Sequence, residues 1–92
     1  MSAKDKIEKI LRRAFSVHHI EIQDDSSQHA GHAEAKKSGG GHFSVLIVSP
    51  DFEGKKTMQR HRMIHNILQK EMKEGIHALA LKTLTPQEYH RP

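Results

Sequence analysis

The chain has 92 residues, of which 35% are apolar and four aromatic, with nine histidines, no cysteine and a formal charge of +4 when histidine is neutral. A chain this short holds one modest core and has no second lobe to close over a substrate, which argues against a deep enzyme cleft. Without cysteine it has no disulfide and no iron–sulfur site built on its own thiolates; its mild basicity permits a nucleic-acid or acidic-protein partner but falls short of a dedicated phosphate-binding surface.

Residues 3–15 read as an amphipathic helix with Ser2 as N-cap. Ile7, Ile10, Leu11, Ala14 and Phe15 recur at helical spacing, and Lys4, Lys6, Glu8, Lys9, Arg12 and Arg13 take the other faces. Residues 18–24 read as a short strand in which Ile20 and Ile22 alternate with His19, Glu21 and Gln23. From Asp25 to Gly41 the pattern disappears into small and polar residues ending in three glycines, a flexible loop of a length that is often functional.

Phe43-Ser44-Val45-Leu46-Ile47-Val48 is almost continuously apolar, as expected of a central strand. Ser49-Pro50-Asp51 breaks it, and residues 52–55 turn. Residues 57–73 read as the main helix, with Ile64, Ile67 and Leu68 on one side and Gly75 past its end. Residues 76–82 make a third strand. Thr85-Pro86-Gln87-Glu88 then starts a short helix, with Thr85 as N-cap, Pro86 at the first helical position and Glu88 completing a capping box. The order α-β-β-α-β-α predicts an α/β (α+β) domain over 1–92. Its first two strands should pair antiparallel, the second and third parallel through a right-handed crossover, with the helices on one face of a three-stranded mixed sheet.

No apolar run approaches the ~20 residues of a membrane span, and Met1-Ser2-Ala3-Lys4-Asp5 lacks a signal-like apolar core, so the expectation is a soluble cytoplasmic protein with no membrane partner. Catalytic signatures are missing. There is no nucleophile elbow, phosphate loop or His-Glu-x-x-His, and Gly39-Gly40-Gly41 leads into a strand rather than a helix N-terminus. The expectation is that the chain is not an enzyme.

The histidines carry most of the remaining signal. His29 and His32 lie in the long loop at i, i+3 spacing, and His42 closes it. They are either donors for a borderline metal or members of a solvated loop. His77 opens the third strand, where alternation groups it with Leu79 and Leu81; it is a packing residue or a donor held at a rim. His61 shares the stripe of Ile64 and Leu68 and reads as core-facing. Lys55, Lys56, Arg60 and Arg62 form a small basic cluster, either a solvated helix face or a nucleic-acid contact with no aromatic to stack on bases.

Taken together, Asp24-Asp25-Ser26-Ser27-Gln28-His29, His42-Phe43-Ser44-Val45, Val48-Ser49-Pro50-Asp51-Phe52-Glu53-Gly54-Lys55, Gln59-Arg60-His61-Arg62-Met63-Ile64, Ile76-His77-Ala78-Leu79-Ala80 and Thr85-Pro86-Gln87-Glu88 resemble the BolA family over nearly the whole chain. Asp25 stands where the family usually has Glu. The resemblance implies a fold like the class II KH domain. The Gly-x-x-Gly loop of KH recognition is absent, and Gly54 stands alone in Glu53-Gly54-Lys55-Lys56.

The resemblance also implies an interaction protein, monomeric alone, that forms a heterodimer with a monothiol glutaredoxin. The pair shares a [2Fe–2S] cluster, with glutathione supplied alongside the partner, in iron–sulfur cluster assembly, trafficking or iron-linked regulation. His77 is then one ligand from this chain. The second comes from the loop and must be an imidazole, His29 by alignment with the family motif or His32 beside it. The alternative implied role is a DNA-binding transcriptional regulator of stress or morphology, using Lys55, Lys56, Arg60 and Arg62.

Overall fold

The computed structural model describes residues 2–25 and 41–91, which include α1 (Ala3–Ala14), β1 (His19–Asp24), β2 (Gly41–Val48), α2 (Thr57–Ile67), α3 (Gln69–Glu74), β3 (Ile76–Leu84) and α4 (Pro86–His90). The sheet order is β1-β2-β3, with β1 antiparallel and β3 parallel to the central β2. This is the mixed α+β arrangement expected from the order of elements. The loop predicted over 25–41 lies outside the described residues except for its two ends, Asp25 and Gly41. No helix among the described residues is long and apolar enough to cross a membrane.

α1 forms because its apolar residues fall on one stripe and its start is doubly capped. Asp5 N–H donates to the Ser2 hydroxyl at 3.1 Å, and Ser2 N–H donates to the Asp5 carboxylate at 3.4 Å. Ile7, Leu11 and Phe15, one turn apart, are buried. Ala14, expected on this stripe, is exposed. The three buried side chains meet Phe43, Val45 and Ile47, which alternate along β2 toward the helices, and the wholly buried Phe52, Ile64 and Leu68. Each such side chain taken fully out of water contributes about 1.5–3 kcal/mol.

Several boundaries differ from expectation. The helix expected over 57–73 breaks at Leu68, whose φ of −96° and ψ of 15° leave the α region, while Leu68 and Met72 keep their N–H bonds to Ile64 and Leu68. No proline or glycine marks the break. β2 starts two residues before Phe43, and β3 runs two residues past Lys82, because the parallel ladder continues from Gly41↔Ile76 to Val48↔Leu84.

The buried stripe that runs along α2 and onto its C-cap is Arg60–Ile64–Leu68, at i, i+4, i+8. His61, expected to face the core, is half-buried and lies outside the core cluster. The positive φ of Gly54, 76°, turns the chain between Phe52 and α2.

Candidate functional site

Both strands that flank β2 bring histidines to its two ends. At the end where β2 and β3 begin, the parallel ladder carries a bulge: Gly41 faces Ile76, but His42 faces Ala78, so His77 has no partner across the strands. The bulge breaks the alternation that would have placed His77 with Leu79 and Leu81. His77 is exposed while those two pack against the core, so the packing reading of His77 is set aside. Its ring lies 5.2 Å from that of half-buried His42, with the planes tilted by 41°.

The backbone under this pair is tightly fixed. Gly41 N–H donates to Gly75 C=O at 2.9 Å, tying the start of β2 to the end of α3. A side chain on Gly41 would run into the Phe43 ring, with Cζ at 2.9 Å from the added carbon. Phe43 is buried beneath the strand start, which directs the neighbouring His42 to the opposite face. On the β1 side, the Ser44 hydroxyl donates to the Asp25 carboxylate at 2.5 Å. Asp24 pairs with Phe43, so the chain leaves the sheet at Asp25 and returns at Gly41 on this same end. His29 and His32 belong to that intervening segment and lie outside the described residues.

The structure thus brings His77 together with His42, which the sequence groups with His29 and His32 as a histidine of the loop. Among the described residues, no group of three or more His, Asp or Glu is arranged to hold a metal ion. Two imidazoles suit a borderline metal or the more oxidising iron of a cluster, and any remaining ligands have to come from elsewhere.

The basic cluster is divided rather than gathered. Lys55, Lys56 and Arg62 are exposed. Arg60 is not available to an outside partner, which corrects its assignment to a nucleic-acid surface: its side chain is about 10% exposed and its donors are engaged within the fold. Nε donates to Lys55 C=O at 2.8 Å. Nη1 donates to Thr83 C=O at 3.0 Å and to Glu88 Oε1 at 2.7 Å, and Nη2 to Glu88 Oε2 at 3.4 Å. Its guanidinium carbon lies 6.0 Å from the centroid of the Phe52 ring.

Glu88 also accepts from Thr85 N–H at 2.8 Å, so the capping glutamate of α4 doubles as the anchor of α2. The hydrogen bond from Arg60, then that from Thr85 N–H, holds its carboxyl well below the usual range, lowered from 4.5 to about 2. The capping box was readable from the sequence. The bond to Arg60, 28 residues away, had no local signal.

A model of the family described as BolA-like protein matches residues 11–88. The chain belongs to the BolA-like family. It is similar to a SufE-like protein 1 of Arabidopsis thaliana, chloroplastic/mitochondrial, 42% identical over 96% of this chain and 24% of that protein. It is also similar to the DNA-binding transcriptional regulator BolA of Escherichia coli, 38% identical over 97% of this chain and 81% of that one. In three dimensions it is similar to BolA1 from Arabidopsis thaliana, with a TM-score of 0.84 at 35% identity, covering 100% of this chain and 98% of that one. This BolA-like chain therefore spans about a quarter of the length of its SufE-like relative and most of the bacterial regulator's.

Proposed function

We propose that this BolA-like chain is a non-enzymatic interaction protein of the cytoplasm that completes a [2Fe–2S] cluster shared with a monothiol glutaredoxin, in iron–sulfur assembly, trafficking or iron-linked regulation. The observation that carries this reading is the exposed His77, unpaired in a bulge and set beside His42 at the end of the sheet where the His29–His32 segment leaves and returns. A rigid strand supplies one imidazole, and a segment anchored at Asp25 and Gly41 supplies the second, His29 or His32. The donor set fits the group: the chain has imidazoles here and no thiolate, so the partner and glutathione complete the ligation. Two imidazoles in place of thiolates raise the reduction potential of such a cluster, as in Rieske centres. Ligation needs neutral imidazole, so protons compete with the metal for these donors and acidification weakens formation of the complex.

The test is an anaerobic titration with cluster-loaded monothiol glutaredoxin, read by visible absorption and circular dichroism. The expected result is a mixed-ligand spectrum that His77→Ala abolishes. His29→Ala reduces it, and the His29→Ala/His32→Ala double variant removes what His32 alone sustains. A wild-type spectrum from the His77→Ala protein overturns the assignment.

A second reading is a DNA-binding regulator, supported by the role that names the Escherichia coli relative and by the exposed Lys55, Lys56 and Arg62 around the turn into α2. Here Lys56→Ala with Arg62→Ala lowers the salt slope of DNA binding by about two, roughly one for each phosphate that is no longer neutralised. An unchanged slope removes these residues from the interface.

A further inference from the structure

A second histidine pair lies at the opposite end of the sheet, where β1 begins and β2 and β3 end. The Nε2 atoms of His18 and His90 are 3.1 Å apart, although 72 positions separate them in the chain. We propose that His18 and His90 are a binding site for a borderline divalent transition-metal ion of the Cu2+, Ni2+ and Zn2+ class, which clips α4 to the start of β1.

The separation is the first support. Metal–nitrogen bonds of about 2.0–2.1 Å place two imidazole nitrogens on one ion about 2.9–3.4 Å apart, from a square to a tetrahedral angle. The observed spacing falls inside that interval. The rings are perpendicular, at 86°, with centroids 5.3 Å apart. The centroid separation exceeds that of the nitrogens by about two ring radii, so the rings meet tip to tip, joined in the metal-free protein by one N–H···N hydrogen bond between opposite tautomers. The ring that donates shifts its proton from Nε2 to Nδ1 through solvent, and a cation then binds both Nε2 atoms once each ring tilts by about 40° to aim its lone pair at the ion. Both side chains are exposed, so the rings have room to tilt and water completes the coordination.

The backbone on each side is already placed, which lowers the cost of assembling the site. His18 N–H donates to Val48 C=O at 2.8 Å. α4 is held by its Thr85 cap and by the bond of Glu88 to Arg60. Tyr89 stacks on His19, with centroids 5.0 Å apart and planes 22° apart, and meets His90 edge-on. His19 is in turn bound to the Glu21 carboxylate at 2.7 Å. Imidazole donors favour Cu2+ over Ni2+ and Zn2+ and do not favour Mg2+ or Ca2+. The site does not depend on the cluster reading: it uses neither His77 nor the segment carrying His29 and His32.

The test uses the full chain, labelled with 15N, and Ni2+ as the paramagnetic probe. Amides around His18 and His90 are expected to broaden at less than one equivalent of Ni2+. His90→Gln is expected to remove that broadening and to weaken the first binding event by about 10–100-fold or more, since even the loss of an outer-shell partner costs that much. Ni2+ is also expected to raise the Tm of the wild type and of His77→Ala, but not that of His90→Gln. Mapping on the wild type needs no variant to fold. Broadening that starts at other histidines overturns the proposal. So does an equal rise in Tm for the His18→Gln/His90→Gln double variant, which would leave the pair as a hydrogen bond alone.

Discussion

The two ends of the central strand are built on opposite plans. At the end where β1 starts, α4 is tied down by side chains from three directions: Glu88 binds Arg60 of α2, Tyr89 stacks on His19 of β1, and the Thr85 cap holds the helix entry. At the other end, His42 and His77 stand over a bulge. What is fixed there is backbone and small contacts, through Gly41 with Gly75 and Ser44 with Asp25. The difference is a division of labour. One end uses its charges to close the fold, and the other leaves an exposed imidazole on a rigid strand.

The largest expected effect breaks the closed end. Arg60→Ala removes a donor from Lys55 C=O, Thr83 C=O and Glu88 at once, the bond to Thr83 being buried in the fold. The expected cost is roughly 1.5–3 kcal/mol, the range for hydrogen bonds that involve a charged group, read as a shift in the denaturant midpoint at constant slope. A loss below about 0.5 kcal/mol, typical of a surface change, would show that α4 does not depend on this arginine. The same expectation separates fold from DNA contact. Arg60→Ala weakens any DNA binding through the fold, and so says nothing about the interface that Lys56 and Arg62 probe.

Next in size is Gly41→Ala at the other end. The added carbon meets the Phe43 ring, so either the strand start or the ring has to move. The expected cost is about 1–3 kcal/mol, as for other overpacked sites. Phe43→Leu in the same chain is expected to recover part of it by making room. If Gly41→Ala costs nothing, the fixed platform beneath His42 and His77 is not rigid.

The pH dependence of the closed end follows from Glu88. Its carboxyl is lowered from 4.5 to about 2 in the folded chain, so the fold favours the ionised form. That contribution is fully present above pH 4.5 and is lost as pH falls from about 4.5 toward 2. Its size is reduced by solvent screening, because the Glu88 side chain is 36% exposed. Glu88→Gln keeps a residue able to fill the capping box but carries no charge to pair with Arg60. Thermal melts across this window are expected to flatten in the variant and to converge with wild type at the acid end. Parallel curves for the two proteins would place the ionic contribution elsewhere.

Local signals account for most of what was legible. Ser2, Thr85, Pro86 and Glu88 announce helix starts through short-range capping. The apolar run of residues 43–48 announces a central strand, and the order of elements fixes antiparallel and parallel pairing. What stayed hidden depends on contacts distant in sequence. Arg60 looks like a surface cation until Thr83 and Glu88 fold against it, and the charge then belongs to the interior. His61 misses its expected core-facing place because the buried stripe is shifted by one residue, and a buried arginine fills the position that periodicity reserves for an apolar side chain. The bulge that exposes His77 is a property of strand register, and the meeting of His18 with His90 comes from the placement of α4 beside the start of β1; no window of the sequence records either.

The smallest effect on stability is expected at the open end, and there the contrast between the two ends is sharpest. His77 is exposed and has no partner across the ladder, so His77→Ala removes little buried surface. The bulge itself is a backbone feature that alanine can occupy, and a change within about 0.5 kcal/mol is expected, as for surface positions in general. Under the cluster reading, the same substitution removes a ligand and with it the mixed-ligand spectrum. A residue with almost no role in stability and a decisive one in ligation is the signature of a donor held ready on a rigid element. A packing residue would show the reverse: His77→Ala would lower the stability by about 1 kcal/mol or more, and any loss of spectrum would follow the loss of fold. Measuring unfolding and cluster transfer on the same His77→Ala sample separates the two. Stability kept and spectrum lost supports ligation, and stability and spectrum lost together assigns His77 to the architecture of the sheet.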